Sequence, residues 1–192
     1  TAAVYFGLDI ITRRVGELFK EYPQENFNQD SPVGDSLNQL CTNRLKNTSQ
    51  RAVSANLEEG ANKTVDTLEA IGKTSVDKSF HQPVLYAGRG LSDLVYELEY
   101  SGINERVRGK AIESSKNIIQ NAAESGGWEE TGKATRYLGW QMTNSVYARN
   151  ETQNNDTRYT SAILNYFPSI LGELLDSTAD TVDDERVNWH ST

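Results

Sequence analysis

Apolar side chains recur at every third or fourth position along almost the whole chain of 192 residues. This spacing places side chains on one face of an α-helix, as with Val4, Leu8 and Ile11 near the start of the chain. A two-residue alternation is not sustained anywhere, and the sequence contains no Asn-Gly or Asp-Gly hairpin turn. The pattern predicts an all-α fold, either an antiparallel helical bundle or a short α-helical repeat array of about six to eight helices.

Proline and glycine residues divide this pattern into segments. Pro23 is expected to end the first helix, and Ser31 followed by Pro32 is typical of an N-cap and a first helical residue. Gly60 is expected to break the helical stretch between residues 49 and 80. Gly102 is expected to cap the C-terminus of the helix that precedes it.

The length of the chain predicts one helical domain over residues 1–178, followed by an acidic flexible tail over residues 179–192. A subdivision of that domain stays open, in which a helical hairpin over residues 1–48 packs on a helical array over residues 49–178. A chain of this size buries enough surface to fold without a metal ion or a disulfide.

A branched apolar residue followed by glycine recurs inside several predicted helices. Glycine costs about 1 kcal/mol relative to alanine in a helix interior, so its recurrence needs a reason. Because glycine has no Cβ, we expect a neighbouring helix to approach closely at these positions. The four dipeptides are Val15-Gly16, Ile71-Gly72, Leu138-Gly139 and Leu171-Gly172.

The predicted helix centres follow one another at similar intervals. Two helices would make a unit of about 45 to 50 residues, at or slightly above the upper end of HEAT and armadillo repeats. In this spacing and in its small residues, the stretch 50–175 resembles those α-helical repeat families. The resemblance implies stacked helix pairs and transfers no functional residue. An irregular bundle with glycines at close helix crossings is the alternative.

The balance of charge argues against a nucleic-acid partner. The chain has 19 basic and 27 acidic residues and a net charge of −8, whereas phosphate contacts need clustered lysine and arginine. The two small basic groups are interpreted as solvated helix faces. They are Arg13 with Arg14, and Arg106 with Arg108 and Lys110.

Few residues suited to metal or nucleophilic chemistry are present. Two histidines and one cysteine exclude zinc sites with several cysteines and di-iron sites with two Glu-x-x-His pairs. His81 is expected to cap the preceding helix, and Cys41 to be a small buried core residue. Gly88, Arg89 and Gly90 follow no strand, which is not the context of a phosphate-binding loop. The sequence predicts no enzymatic activity, no cofactor and no metal.

A group of acidic residues near the C-terminus is the one candidate for a metal site. We interpret it as a solvated tail, because oxygen-ligand sites need several carboxylates that converge on one point. The alternative is a carboxylate-bound metal in an enzyme. The group consists of Asp176, Asp180, Asp183, Asp184 and Glu185.

Aromatic residues are concentrated in the last third of the chain. Large aromatic side chains are usually part of a core, but on a surface they mark a site of contact with a partner. We take four of them as candidates for a binding surface: Trp128, Tyr137, Trp140 and Tyr147.

The opening run from Ala2 to Ile11 stands before Arg13 and Arg14. We interpret it as an amphipathic helix of a soluble domain. The alternative is the end of a membrane helix that begins upstream of Thr1, with the arginines at the cytoplasmic face. For the domain as a whole, a location at the cytoplasmic face of a membrane is favoured over an extracytoplasmic one. Glycosylation sequons at Asn47, Asn62, Asn150 and Asn155 are weak evidence for the extracytoplasmic side.

Two classes of function remain. The first is a non-enzymatic helical module that binds a protein partner or a second copy of itself, either on its own or as the soluble domain of a membrane-anchored protein. Its contact surface is expected on the helices between residues 82 and 150. The second is an extracytoplasmic helical-bundle sensor that binds a small ligand between its helices.

Overall fold

The computed structural model describes residues 2–98 and 102–124, and in these ranges it contains helices and no strand, so the all-α prediction is confirmed. A 3₁₀ turn over Gln24–Phe27 and a π-helix over Leu40–Leu45 interrupt the α-helices. The α-helices are α1 (Ala2–Glu21), α2 (Pro32–Gln39), α3 (Lys46–Ser54), α4 (Glu58–Asp77), α5 (His81–Glu97) and α6 (Ile103–Glu124).

The start of α2 is built as its sequence predicts. The Ser31 hydroxyl accepts a hydrogen bond of 2.9 Å from the main-chain N–H of Gly34, and Pro32 is the first helical residue. This satisfies one of the N–H groups that a helix leaves without a partner at its N-terminus. From Pro32 the chain stays helical through the π-helix to Ser54, and we call this stretch the 32–54 segment.

The break between α3 and α4 lies before Gly60, so the prediction of a break at Gly60 is wrong. Asn56 has a positive φ of 59° and ends α3, while Gly60 is buried in the first turn of α4. The N–H groups of Asn56 and Leu57 bond to the carbonyls of Val53 and Ala52, which is the Schellman pattern. Asparagine reaches this left-handed conformation more readily than most residues, so no glycine is needed.

The end of α4 repeats this geometry with a serine. Ser79 has a φ of 58°, and the N–H groups of Ser79 and Phe80 bond to the carbonyls of Val76 and Ser75. The predicted cap at Gly102 is also wrong, because α5 ends at Glu97 and Gly102, with a φ of 51°, directly precedes α6.

The helices form two layers. The first layer consists of α1, α4 and α6, with α4 in contact with both of the others. The second layer consists of the 32–54 segment and α5, which contact each other, and both also pack against α4. The longest helices of the described ranges therefore bury one face each, and α4 is surrounded most completely.

Neighbouring helices of the first layer run in the same direction. Arg106 of α6 binds Glu58 near the start of α4, and Asn117 binds Glu69 further along it; both pairs are 48 positions apart. The second layer repeats this parallel arrangement at a similar separation, because Gly90 approaches Cys41 and, further along both helices, Glu97 binds Lys46, 51 positions away.

One glycine lies at the crossing of α4 and α6. A Cβ built on Gly72 would come within 2.4 Å of the Ile118 side chain, so the predicted close approach is confirmed there. No described atom comes within 4 Å of a Cβ at Gly16, so the close approach expected there has no support among the described residues. Gly139 and Gly172 lie outside the described residues.

An aromatic cluster closes one end of the two layers. Phe19 meets Phe27 and Phe80 edge-on, with ring centroids 5.0 Å and 5.4 Å apart. The buried Tyr86 donates a hydrogen bond of 3.0 Å from its hydroxyl to the carbonyl of Phe27.

Among the described residues, no helix is both long and apolar enough to cross a lipid bilayer.

Candidate functional site

A groove on the surface of the second layer is lined by polar side chains. Its volume is about 480 Å³, within the range of small-molecule sites. Most of the lining belongs to the 32–54 segment and the rest to α5. We call this site the polar groove, and its lining residues are Asn38, Gln39, Thr42, Asn43, Lys46, Arg89 and Asp93.

The π-helix lies in the middle of the segment that lines the groove. Leu37, Cys41 and Leu45 are buried at intervals of four residues, so they share the core face of the 32–54 segment. Polar residues between them line the groove, and the π-helix contributes Thr42 and Asn43. π-helical turns are frequent at functional sites.

Gly90 allows α5 to lie against this π-helix. A Cβ at Gly90 would stand 2.5 Å from the main-chain oxygen of Cys41 and 3.1 Å from the Leu68 side chain. Only a residue without a Cβ fits this approach. The contact brings Arg89 and Asp93, one helical turn apart on α5, to the edge of the groove.

The hydrogen bonds within the groove leave one acceptor unsatisfied. The Thr42 hydroxyl donates to the carbonyl of Asn38 at 2.8 Å, and the Asn47 amide donates to Oδ1 of Asn43 at 2.7 Å. Oδ1 of Asn38 is buried and has no hydrogen-bond partner among the described residues. Burying an unsatisfied acceptor costs about 1–3 kcal/mol, so this oxygen lowers the stability of the fold.

The groove carries charges of both signs. The Lys46 ammonium lies 2.7 Å from Oε1 of Glu97, a carboxylate that also accepts a hydrogen bond from the Gln50 amide. Arg89 and Asp93 add one charge of each sign. Burial raises the pKa of the Tyr86 hydroxyl, and the nearby Arg89 guanidinium acts in the opposite direction without cancelling this rise.

Cys41 lies below the groove and takes no part in its chemistry. Its side chain is fully buried, and burial raises the pKa of the thiol to about 12. The thiolate, which is the reactive form of cysteine, is therefore strongly disfavoured. This confirms the prediction that Cys41 is a core residue.

Two further predictions concern residues of α5. His81 was expected to cap the last carbonyls of the preceding helix, and it is the first residue of α5. At the end of α4, the main-chain N–H groups of Ser79 and Phe80 already bond to the carbonyls of Val76 and Ser75. The Gly88-Arg89-Gly90 triplet lies inside α5, in agreement with the argument against a phosphate-binding loop.

The predicted aromatic contact surface lies outside the described residues. It consists of Trp128, Tyr137, Trp140 and Tyr147, and it stays a prediction. The acidic group between residues 176 and 185 and the tail over residues 179–192 also lie outside them. Within residues 2–98 and 102–124, no group of three or more histidine, cysteine, aspartate or glutamate side chains is placed to hold a metal ion.

Two of the four sequons can be located in the fold. Asn47 lies in α3 with its amide bonded to Asn43, and Asn62 lies half-buried in α4 with its Oδ1 buried. The hydroxyl of Thr64, the third residue of the second sequon, is buried and bonded to the carbonyl of Gly60. Glycan acceptors belong to surface loops, so these two helical sites do not support the extracytoplasmic alternative.

Comparison of the chain with protein-family models, with curated proteins and with solved structures found no match. The function must therefore be argued from the geometry of the groove.

The groove was not predicted from the sequence. Its signal was a polar stripe that repeats with helical period beside the buried Leu37, Cys41 and Leu45. Such a stripe is ordinary for a solvated helix face. Only its position opposite Arg89 and Asp93, about fifty positions further along the chain, distinguishes it.

Proposed function

We propose that this chain is a non-enzymatic helical binding module and that the polar groove is a ligand-contacting surface. The observation that carries the proposal is the pairing of a π-helix with Gly90. Both features are locally unfavourable, and together they create a recess lined with polar groups of both charge signs. A solvated helix face has no need of either feature.

The packing of the helices supports a module built from stacked pairs. Parallel neighbours in each layer, separated by 48 to 51 positions in the contacts between Glu58 and Arg106, Glu69 and Asn117, and Lys46 and Glu97, suit a repeat of two helices. In such arrays the seam between neighbouring helices of one layer forms an extended surface. The groove lies on a seam of this kind, and its α5 residues fall within the stretch 82–150 expected to make contacts.

Binding of a protein partner or of a second copy, and attachment to a membrane, are also proposals. A protein partner or a second copy would use the aromatic surface with Trp128 and Trp140, beyond the described residues. Attachment to a membrane would use a segment upstream of Thr1. Neither is needed for the groove to bind a ligand.

The proposal is tested by thermal unfolding in the presence of cell extract. The extract is divided by ultrafiltration into a small-molecule filtrate and a macromolecular fraction. A ligand that binds only the folded state raises Tm, so we expect at least one fraction to stabilise the native chain. The groove variant carries Asn38→Leu and Asn43→Leu, which fill the groove with apolar groups, and we expect it to lose this stabilisation.

The matched control is Asn121→Leu, the same change on α6 of the first layer. It should keep the response of the native chain. Absence of stabilisation by either fraction contradicts the proposal, and so does an equal rise of Tm in the groove variant.

A further inference from the structure

We infer that the π-helix over Leu40–Leu45 is a one-residue insertion into an otherwise regular α-helix, and that this insertion serves the polar groove and not the core. The inference deepens the proposed function and rests on it. It follows from three observations: the spacing of the buried residues, the position of the groove, and the fit of the facing helix at Gly90.

The spacing of the buried residues departs from that of a regular α-helix. Alternating intervals of three and four keep a stripe on one face, because the mean interval is then about 3.5, close to the roughly 3.6 residues of one turn. The buried residues of the 32–54 segment instead follow one another at intervals of three, four, four, four and three positions. They are Gly34, Leu37, Cys41, Leu45, Ser49 and Ala52.

The extra residue lies between Cys41 and Leu45. Removing one residue from this middle interval would restore the regular alternation of three and four along the whole buried stripe. The same interval lies inside the π-helix, which is defined by main-chain hydrogen bonds and not by burial. A π turn closes from residue i to residue i+5, so it takes up one residue more than an α turn. Burial and main-chain geometry therefore locate the same extra residue independently.

The extra residue lies on the side of the groove and adds nothing to the core. The interval is occupied by Thr42, Asn43 and Arg44, of which the first is half-buried and the other two are exposed. Thr42 and Asn43 line the groove. π-helices are rare and are frequent at functional sites. A π-helix that buries no additional residue therefore has its use at the surface it widens, which is the polar groove.

The facing helix is fitted to the π-helix. A Cβ at Gly90 would stand 2.5 Å from the main-chain oxygen of Cys41, which is the second residue of the π-helix. Glycine is unfavourable inside a helix, so α5 carries an unfavourable residue at the point where it meets the π-helix. Both helices thus depart from their most favourable geometry beside the same groove, which supports a common role there.

The test is deletion of Arg44 from the full chain. Its exposed side chain does not line the groove, so the deletion changes the residue count without removing a lining side chain. We expect a Tm equal to or higher than that of the native chain, because the 32–54 segment can then form a regular α-helix with its buried stripe intact. We also expect the variant to lose the rise of Tm that the extract fraction gives the native chain. The reason is that Lys46 lies one residue closer to Thr42, which alters the spacing of the lining.

Two controls separate the residue count from other effects. Arg44→Ala removes the same side chain and charge but keeps the residue count, so it should keep the Tm of the native chain and its response to the extract. Deletion of Glu113, an exposed residue in the regular helix α6, should lower Tm by about 10 °C or more, because it turns the buried Ile118 by about 100° away from the core. In the Arg44 deletion variant, the Cys41 thiol should stay unreactive, since the core face is retained.

Two results overturn the inference: deletion of Arg44 lowers Tm below that of Arg44→Ala, or the deletion variant keeps the full response to the extract. Failure of the proposed function gives a different result, because then no fraction stabilises the native chain. In that case the role of the π-helix in binding fails as well, and the Tm values of the two deletion variants still decide whether the π-helix is an insertion.

Discussion

Gly90 of α5 faces the main-chain oxygen of Cys41 so closely that a methyl group on Gly90 would lie 2.5 Å from it. This contact joins α5 to the 32–54 segment at the π-helix, beside the polar groove. Because the atom that approaches Gly90 belongs to the main chain, it cannot move aside as the end of a side chain would.

Gly90→Ala is therefore expected to destabilise the chain. The overlap with the Cys41 carbonyl should cost about 1–3 kcal/mol, which exceeds the gain in helix propensity of about 1 kcal/mol. Gly109→Ala on α6 is the control, since no described atom lies within 4 Å of a Cβ there, and it should stabilise by about 0.5–1 kcal/mol. Urea unfolding measures both, and equal effects of the two substitutions would contradict the contact.

The crossing of α4 and α6 permits a double-mutant test. A Cβ on Gly72 would meet Cδ1 of Ile118 at 2.4 Å, so Gly72→Ala should destabilise by about 1–3 kcal/mol. Ile118→Ala removes that atom together with Cγ1 at 2.7 Å and Cγ2 at 3.1 Å, and it should cost about 2–5 kcal/mol alone. The double variant should lose less than the two single variants together, with a coupling of at least about 0.5 kcal/mol in unfolding experiments. Strict additivity would show that the helices do not cross at this point.

Glu69 should give the chain an acid-sensitive contribution to its stability. Burial alone would raise the pKa of its carboxyl group, but hydrogen bonds from Lys73 and Ser114 outweigh burial and hold the pKa below its ordinary value of 4.5. The unfolded chain therefore binds the proton more tightly than the folded chain. The contribution is complete above pH 4.5 and is lost as the pH falls through the lower pKa of the folded state.

Glu69→Gln tests this sign. We expect it to lower the free energy of unfolding by about 1 kcal/mol at neutral pH and to have a smaller effect in acid, where the native carboxyl is also protonated. Urea titrations at both pH values measure the difference. A cost that stayed constant or grew in acid would mean that the carboxylate is not stabilised in the fold.

Cys41 should be chemically inert in the folded protein. Burial raises the pKa of its thiol to about 12, and its side chain has no access to solvent. A thiol-specific disulfide reagent at mildly alkaline pH is expected to leave the native chain unmodified and to modify one thiol per chain in urea, since the chain has a single cysteine. Fast modification of the native chain would place Cys41 outside the core.

Much of the fold was accessible from local patterns. The apolar period that includes Leu8 and Val15 predicted helices that the structure contains, and Ser31 marked the start of α2 correctly. The ends of helices were predicted less well. The rule that favours glycine was applied to Gly60 and Gly102, whereas Asn56 and Ser79 take up the left-handed conformation that ends α3 and α4.

The polar groove could not be predicted from local sequence patterns. The stripe that contains Asn38 and Thr42 matches any solvated helix face, and Arg89 was considered only as part of a glycine-rich triplet. Their proximity depends on the close approach at Gly90 and on the wider turn between Leu40 and Leu45. Neither feature has a distinctive local sequence signature.

The helices could be predicted from the sequence and the groove could not, for a simple physical reason. Helix formation and the choice of a buried face depend on residues three or four positions apart, so the amino-acid order was enough to establish an all-α chain with Cys41 in its core. The groove depends on the register between helices about fifty positions apart. That register is set by the packing of whole helices, by the contact between Gly90 and Cys41 and by the ion pair between Lys46 and Glu97, and it exists only once the two layers have assembled.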